Sequence, residues 1–305
     1  MIKVLITGAN GLLGQKLVEK LKDYPNYQVF ATGKGKSRLP ENWKLDYQWL
    51  AMDITDGQQV LDVFEQVRPD FLIHTAAMTN VDECETSKEA CHHSNVEAVE
   101  NLVQACKIRG THFIHISTDF IFNGEDGPYT EEADPAPLNY YGLTKLESEK
   151  LVQDSKIKWA IARTVLVYGL ATDMSRSNII LWVKKSLEEG KPIQVVNDQW
   201  RTPTLAEDLA DGCILIMEKG ATGIFNISGK DFLTPYDMAV MTAEYFGLDK
   251  SLIKEVDSNI FRQPAKRPLK TGFIIEKAKR ELGYSPKSFM DGIGILSKQI
   301  KLADL

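Results

Sequence analysis

Thr7-Gly8-Ala9-Asn10-Gly11-Leu12-Leu13-Gly14 is the stretch whose reading decides the fold. It follows Ile2-Lys3-Val4-Leu5-Ile6, an apolar run of the kind a strand shows when both of its faces are covered. After it, Leu13, Leu17, Val18 and Leu21 fall on one face of a helix. Three glycines between a strand and a helix each have a separate use. Gly8 permits a tight turn, Gly11 lets the backbone approach an anion, and Gly14 lets the helix pack closely on the strand. The helix start offers free N–H groups and a partial positive charge. Gly8, Asn10, Gly11, Leu12, Leu13 and Gly14 therefore form a candidate cradle for the pyrophosphate of a dinucleotide, although the spacing is GxxGxxG rather than GxGxxG.

Working outward, the pattern alternates. Strands are expected over 28–32, 49–52, 71–75, 113–117 and 159–163. Helices are expected around Val60, Val63, Phe64 and Val67, in a long helix to which 96–108 belongs, and after Pro137. Thr55 or Asp53 is a candidate cap for the first of these helices. Strand and helix in this alternation predict an α/β doubly wound parallel sheet of six or seven strands, Rossmann-like. Past residue 165 the alternation decays into a smaller mixed α/β lobe, with helices near 179–189, 205–217 and 236–246, strands at 192–196 and 223–227, and a helical segment from Ile275 onward. The division expected is a dinucleotide-binding domain over 1–165 and a mainly substrate-binding lobe over 166–305, some of whose elements return to the first.

The chain has 305 residues, a net charge of −6 and 43% hydrophobic residues. An acidic balance argues against a nucleic-acid partner. Cys84, Cys91, Cys106 and Cys213 fit no zinc spacing and read as buried thiols. Met1 leads directly into a strand, with no signal segment, and no apolar run is long enough to span a membrane. A cytoplasmic location is expected.

Where dinucleotide enzymes that use NAD carry an acid at the end of the second strand, this chain has Thr32-Gly33-Lys34, followed by Lys36 and Arg38. These charges would welcome a 2′-phosphate, or would suit a solvated loop. The reading is NADP(H), with NAD(H) as a second cofactor. Gly33 and Lys34 would border the ribose. Asp53 and Ile54 follow the third strand, where the carboxylate could accept from an adenine amino group or cap a helix. Thr75, Ala76 and Ala77 follow the fourth strand, small enough for backbone to lie against a cofactor.

Tyr141 and Lys145 are four apart on an expected helix and share a face. A phenol titrates too high for proton transfer at neutral pH, and a nearby ammonium would lower it. Ser117 and Thr118 end the fifth strand, and the Thr118 hydroxyl could steady a carbonyl oxygen as it gains charge. Tyr140 lacks the spacing to Lys145.

These stretches, with Ser117-Thr118-Asp119-Phe120-Ile121-Phe122-Asn123-Gly124, Arg163-Thr164, Val167-Tyr168-Gly169, Asn197-Asp198-Gln199 and Arg267-Pro268, resemble the extended short-chain dehydrogenase/reductase superfamily, and within it the dTDP-4-dehydrorhamnose reductase family. The resemblance covers nearly the whole chain. It implies an NAD(P)H-dependent reductase of a nucleotide-activated 4-keto-6-deoxy sugar, with Thr118, Tyr141 and Lys145 catalytic. It also implies that Asn95 organises a proton-relay water, and that Thr118, Asp119, Phe120, Leu166, Arg201 and Arg267 lie on the substrate side. Arg201 and Arg267 would contact a diphosphate, or could each be a surface ion pair. A homodimer is compatible with the family. Some members bind a divalent ion at a dimer contact, but Glu131, Glu132 and Asp134 have no histidine cluster beside them, so no metal is expected. The chain departs from the family pattern at Leu166, where tryptophan is usual, and at Leu269-Lys270-Thr271 with Phe273-Ile274. A nucleotide-sugar epimerase or dehydratase, and a regulatory subunit like methionine adenosyltransferase beta, remain alternatives. Phe120, standing where a dehydratase usually adds an acid, weighs against a dehydratase.

Overall fold

The computed structural model describes residues 1–172 and 178–303. The first half runs β1 (Ile2–Thr7), α1 (Leu12–Leu21), β2 (Tyr27–Gly33), β3 (Gln48–Ala51), α2 (Gly57–Val67), β4 (Phe71–His74), α3 (Val81–Thr86), α4 (Lys88–His92), α5 (Ala98–Arg109), β5 (His112–Thr118), α6 (Tyr140–Asp154) and β6 (Trp159–Thr164). The second half adds β7 (Val167–Tyr168), α7 (Ile179–Glu188), β8 (Ile193–Val196), β9 (Thr204–Leu205), α8 (Ala206–Glu218), β10 (Gly223–Asn226), α9 (Pro235–Phe246), β11 (Ile253–Val256), α10 (Glu276–Leu282) and α11 (Phe289–Ala303).

The central sheet has seven strands in the order β10-β6-β5-β4-β1-β2-β3, and every neighbouring pair is parallel. The order reverses between β1 and β4, which opens a crevice at the carboxyl ends of the strands. One face of the sheet packs on α1 and α8 through Val4, Ile6, Leu17, Leu21, Leu209 and Cys213. The other packs on α2 and α5 through Leu5, Leu72, Phe64 and Leu102. The seventh strand, β10, comes from residues 223–226 and pairs with β6, so the main sheet crosses the sequence boundary at 165. Lys16 to Glu207 and Lys20 to Asp211 tie α1 to α8 across that same boundary. The rest of the second half forms the small parallel pairs β8–β11 and β7–β9 with α7, α9 and α11.

Three local readings change. Asp56, rather than Thr55 or Asp53, caps α2: its Oδ1 accepts from the N–H groups of Gln58 and Gln59. Residues 96–108 belong to a long helical run, as expected, but it is broken into α3, α4, a π-helical turn over His93–Glu97 and α5. Residues 81–95 are polar and carry no clear apolar period. Tertiary contacts set their helicity, with Cys84, Cys91 and Asn95 facing inward. The helical segment from Ile275 is two helices, α10 and α11, divided by Gly283 with φ of 73°.

Candidate active site

The glycine turn has the geometry of a dinucleotide cradle. Gly8 has φ of 68°, and a Cβ there would meet Ala76 N at 2.7 Å. A Cβ on Gly14 would meet Gly8 O at 2.5 Å. Helix α1 starts with no side-chain cap and no acid in its first turn, so the N–H groups near Leu12 and Leu13 are left to an anion. Thr75 Oγ1 donates to Thr7 O at 2.7 Å, which fastens the end of β4, with Ala76 and Ala77, to the turn.

The Asn10 side chain has a role the sequence did not show. Its Nδ2 donates to Lys36 O and its Oδ1 accepts from Arg38 N, at 3.1 and 2.8 Å. The amide therefore folds the basic loop back over the glycine turn. Gly33 ends β2 beneath it, under Trp49. Asp53 Oδ1 accepts from Thr55 N and Thr55 Oγ1, and its Oδ2 pairs with Lys34 Nζ at 3.0 Å. Burial would raise its carboxyl, but the Thr55 N–H and Lys34 outweigh this and hold it low. Ile54 is buried beside it.

At the far ends of β4 and β5 the catalytic candidates meet. Thr118, Lys145 and Ser117 are buried, and Tyr141 is half-buried. Asn139 caps α6, its Oδ1 accepting from Gly142 N at 2.8 Å. Helix α6 lies so close to the turn after β5 that a Cβ on Gly142 would stand 2.0 Å from Phe120 O. That approach brings Tyr141 against Thr118 and sets its ring edge-on to Phe120, with centroids 6.1 Å apart. The buried Arg163–Glu149 pair, Nη2 to Oε2 at 2.7 Å, clamps α6 to β6.

The electrostatics differ from the simple expectation. The Tyr141 phenol is pushed up rather than down. Burial is the main cause; the Thr118 hydroxyl works against it and Asp119 adds to it. Lys145 Nζ instead turns to the sheet, donating to Ile116 O at 2.8 Å and lying 3.2 Å from His115 Nε2. Burial draws its ammonium down to about 8, against the opposing pull of Glu149. Ser117 Oγ is buried with no hydrogen-bond partner, a polar atom that a bound ligand would satisfy.

Asn95 is buried in the π-helical turn. Its Oδ1 accepts from Met78 N at 2.8 Å, and its Nδ2 donates to Met78 O at 3.0 Å and to Thr144 Oγ1 at 3.3 Å. Its amide thus joins the segment after β4 to α6. Asp119 is buried; its Oδ1 accepts from Thr118 Oγ1 and its Oδ2 from Thr271 Oγ1, and burial raises its carboxyl despite Arg201.

The two arginines fare differently. Arg201 is 4% exposed. It donates to Trp200 O, Leu269 O and Pro268 O and faces Asp119, so it braces the 268–271 segment instead of standing open to a ligand. Arg267 pairs bidentately with Asp82 on α3, at 2.7 and 2.6 Å, and lines a cavity of about 450 Å³. Trp182, Gln194, Gln199, Phe261 and Gln263 line it too, and among the described residues no acid does. Sequence reasoning missed these residues, which lie far apart in the chain; the exposure of Trp182 and Phe261 shows only in the fold. Leu166 is 43% exposed and has φ of 38°, a strained value for a leucine. Glu131 is committed to structure, its Oε1 accepting from Asn226 N and its backbone carbonyl from Arg163.

The cradle and the unpaired Ser117 hydroxyl fit a nicotinamide dinucleotide, and with the phenol, ammonium and hydroxyl they define an NAD(P)-dependent oxidoreductase of the extended short-chain type. The chain belongs to the family described as the RmlD substrate binding domain, whose model matches residues 2–301. It is 33% identical over 293 residues to a protein named "Probable low-salt glycan biosynthesis reductase Agl14" of Haloferax volcanii, covering 95% of this chain and 96% of that one. It is 32% identical to methionine adenosyltransferase 2 subunit beta of Rattus norvegicus, over 83% of this chain and 75% of the other. The crystal structure of a dTDP-4-dehydrorhamnose reductase from Bacillus anthracis str. Ames in complex with NADP superposes with a TM-score of 0.85 at 27% identity, over 98% and 100% of the two chains. Among the described residues, no helix is long and apolar enough to cross a membrane.

Proposed function

We propose that this protein reduces the 4-keto group of a nucleotide-activated 6-deoxy sugar, dTDP-4-dehydrorhamnose in the first instance, with NADPH. The observation that carries the reading is the contact of the Tyr141 phenol with the Thr118 hydroxyl, one helical turn before Lys145, in a chain of this family. A bound NADPH supplies the hydride that arrives at the carbonyl carbon. The Thr118 hydroxyl donates a hydrogen bond to the carbonyl oxygen. The Tyr141 phenol gives that oxygen its proton as charge develops there. A phenol held protonated by burial suits a proton donor, and in this reading the Lys145 ammonium one helical turn on would offset the charge left on it.

NADPH over NADH is supported by the basic loop that Asn10 holds against the turn, with Lys34, Lys36 and Arg38 on it. The cavity beside Arg267, in which no described residue is an acid, suits a nucleoside diphosphate, its aromatics stacking a base and its amides reading the edge of that base. In this reading the second half of the chain is mainly the substrate-binding lobe.

The test is loss of reduced-cofactor absorbance with dTDP-4-keto sugars, for the parent and for Tyr141→Phe. The parent should turn over. The variant should lose about a thousandfold or more in kcat while still binding NADPH. Full activity in Tyr141→Phe would sink the mechanism. A second reading, a regulatory subunit, draws on the similarity to the adenosyltransferase subunit. It gains if the parent binds NADPH, reduces no keto sugar and co-purifies with an adenosyltransferase.

A further inference from the structure

Two buried histidines have no place in the chemistry above. His74 on β4 and His115 on β5 are register partners on adjacent strands, and their rings stack at 5.5 Å with an interplanar angle of 21°. Both are almost fully excluded from water, against Phe113. Burying an imidazole where leucine would pack carries a cost, so its hydrogen bonds are informative. His74 Nδ1 meets Thr7 Oγ1 at 2.7 Å, directly before the glycine turn. His115 Nε2 lies 3.2 Å from Lys145 Nζ and 3.1 Å from Ser148 Oγ.

We propose that His115 is a positioning residue for the catalytic lysine: its Nε2 accepts a hydrogen bond from Lys145 Nζ and, with Ile116 O, holds the ammonium so that one N–H is left for the cofactor cleft. This rests on the reductase reading of the site. An ammonium has three donors and no acceptor. In the proposed tautomer Ile116 O takes one and His115 Nε2 takes a second, which leaves one; Ser148 Oγ, 3.1 Å from the same nitrogen, is then a contact without a hydrogen bond, because its hydroxyl donates to Lys145 O. That contact requires the proton of the neutral imidazole to be on Nδ1, since an N–H on Nε2 would face the cation. The structure carries the cost of this tautomer, because His115 Nδ1 is buried with no partner.

The groups facing this pair are few. His74 faces it from β4; Glu149 lies on α6 and is itself paired to Arg163 of β6; Cys91 faces from α4. The buried face of α5 presents apolar side chains and Cys106. Glu149 favours the charged form through space although it is paired to Arg163, and in the proposed arrangement the neutral acceptor directly beneath the ammonium adds to that. Burial keeps both imidazoles uncharged, so neither competes for the proton near neutral pH.

The test compares His115→Leu and His115→Gln with the parent, using the full chain. It reads the pH dependence of kcat with the keto sugar and the pH dependence of NADPH binding by fluorescence. In His115→Leu the alkaline limb of both profiles should move down by about one pH unit, because an acceptor to the charged form is gone. In His115→Gln the side-chain oxygen replaces the acceptor and the limb should return toward the parent. Coincident limbs in all three proteins, or equal shifts in Leu and Gln, would overturn the proposal. Should His115→Leu fail to fold, nitrogen-15 spectra of the histidine-labelled parent decide. His115 Nε2 must read as unprotonated below pH 8, and a protonated Nε2 there overturns the proposal. A parent that binds NADPH but reduces no keto sugar refutes the substrate reading, while the binding profile and the spectra still judge His115.

Discussion

The two ends of the cleft are built on different principles. At the catalytic end nearly every polar group has a fixed partner. Thr118 shares its hydroxyl with Asp119, Asn95 grips both backbone groups of Met78, and Glu149 clamps Arg163 with 3% or less of either side chain exposed. At the nucleotide end, Trp182 and Phe261 are about two-fifths exposed, and Arg267 is held by the partly exposed Asp82. Proton and hydride transfer tolerate little misplacement, so that end is closely packed. In the proposed reading the nucleotide end takes a flexible diphosphate, whose recognition needs access, and it is the more open of the two. The departures from the family pattern, at Leu166 and at Leu269-Lys270-Thr271 with Phe273-Ile274, leave Thr118, Tyr141 and Lys145 intact, although Thr271 donates to the Asp119 that Thr118 also bonds.

The sharpest way to break this comparison is Gly142→Ala. A methyl group 2.0 Å from Phe120 O cannot fit without moving α6. The expected result is a loss of about a hundredfold or more in kcat, with a stability loss of about 1–3 kcal/mol, read by steady-state kinetics and thermal melting. An unchanged kcat would show that the catalytic end is looser than its packing implies.

Titration probes the same end. The folded-state value for Lys145 is drawn from 10.5 to about 8, so its ammonium is present below that value and lost as pH rises through it. If the ammonium is required, kcat should fall by about tenfold per pH unit once well above pH 8. A flat profile to pH 10 would remove the ammonium from the chemistry. By the same sign rule, the folded protein binds fewer protons at Lys145 than the unfolded chain between about pH 8 and 10.5, so this group's contribution to stability rises across that window.

At the open end Arg267→Ala should raise KM for the nucleotide sugar by about tenfold to a hundredfold, the worth of a hydrogen bond to a charged group, with little change in kcat. A fall in kcat with KM unchanged would move Arg267 to the catalytic end. The smallest effect is expected in the basic loop. Lys34 is 67% exposed on its side chain and already paired with Asp53. Lys34→Ala should weaken NADPH only severalfold relative to NADH, as for an exposed charge pair. Equal losses for both cofactors would take the 2′-phosphate away from this loop.

The parts legible in the sequence were those with a local cause. A strand, a glycine turn and a helix share one short stretch, and Tyr141 and Lys145 are separated by one helical turn. Other features escaped because their causes are distant in the chain. Asn10 is a plausible turn residue until Lys36 and Arg38 fold back upon it. Arg201 has the chemistry of a phosphate ligand until three carbonyls, two of them from residues 268 and 269, surround it. Helices α3 and α4 carry no apolar period, since they are ordered by what they pack against.

Sequence alone determined the parallel α/β architecture and pointed to the glycine turn and to Thr118, Tyr141 and Lys145 as candidates, because period, glycine placement and helical spacing act within a few residues. Tertiary structure alone decided the protonation of those side chains and the partners that orient them. Burial set the Tyr141 phenol high and the Lys145 ammonium low, and burial depends on the whole fold rather than on neighbouring residues.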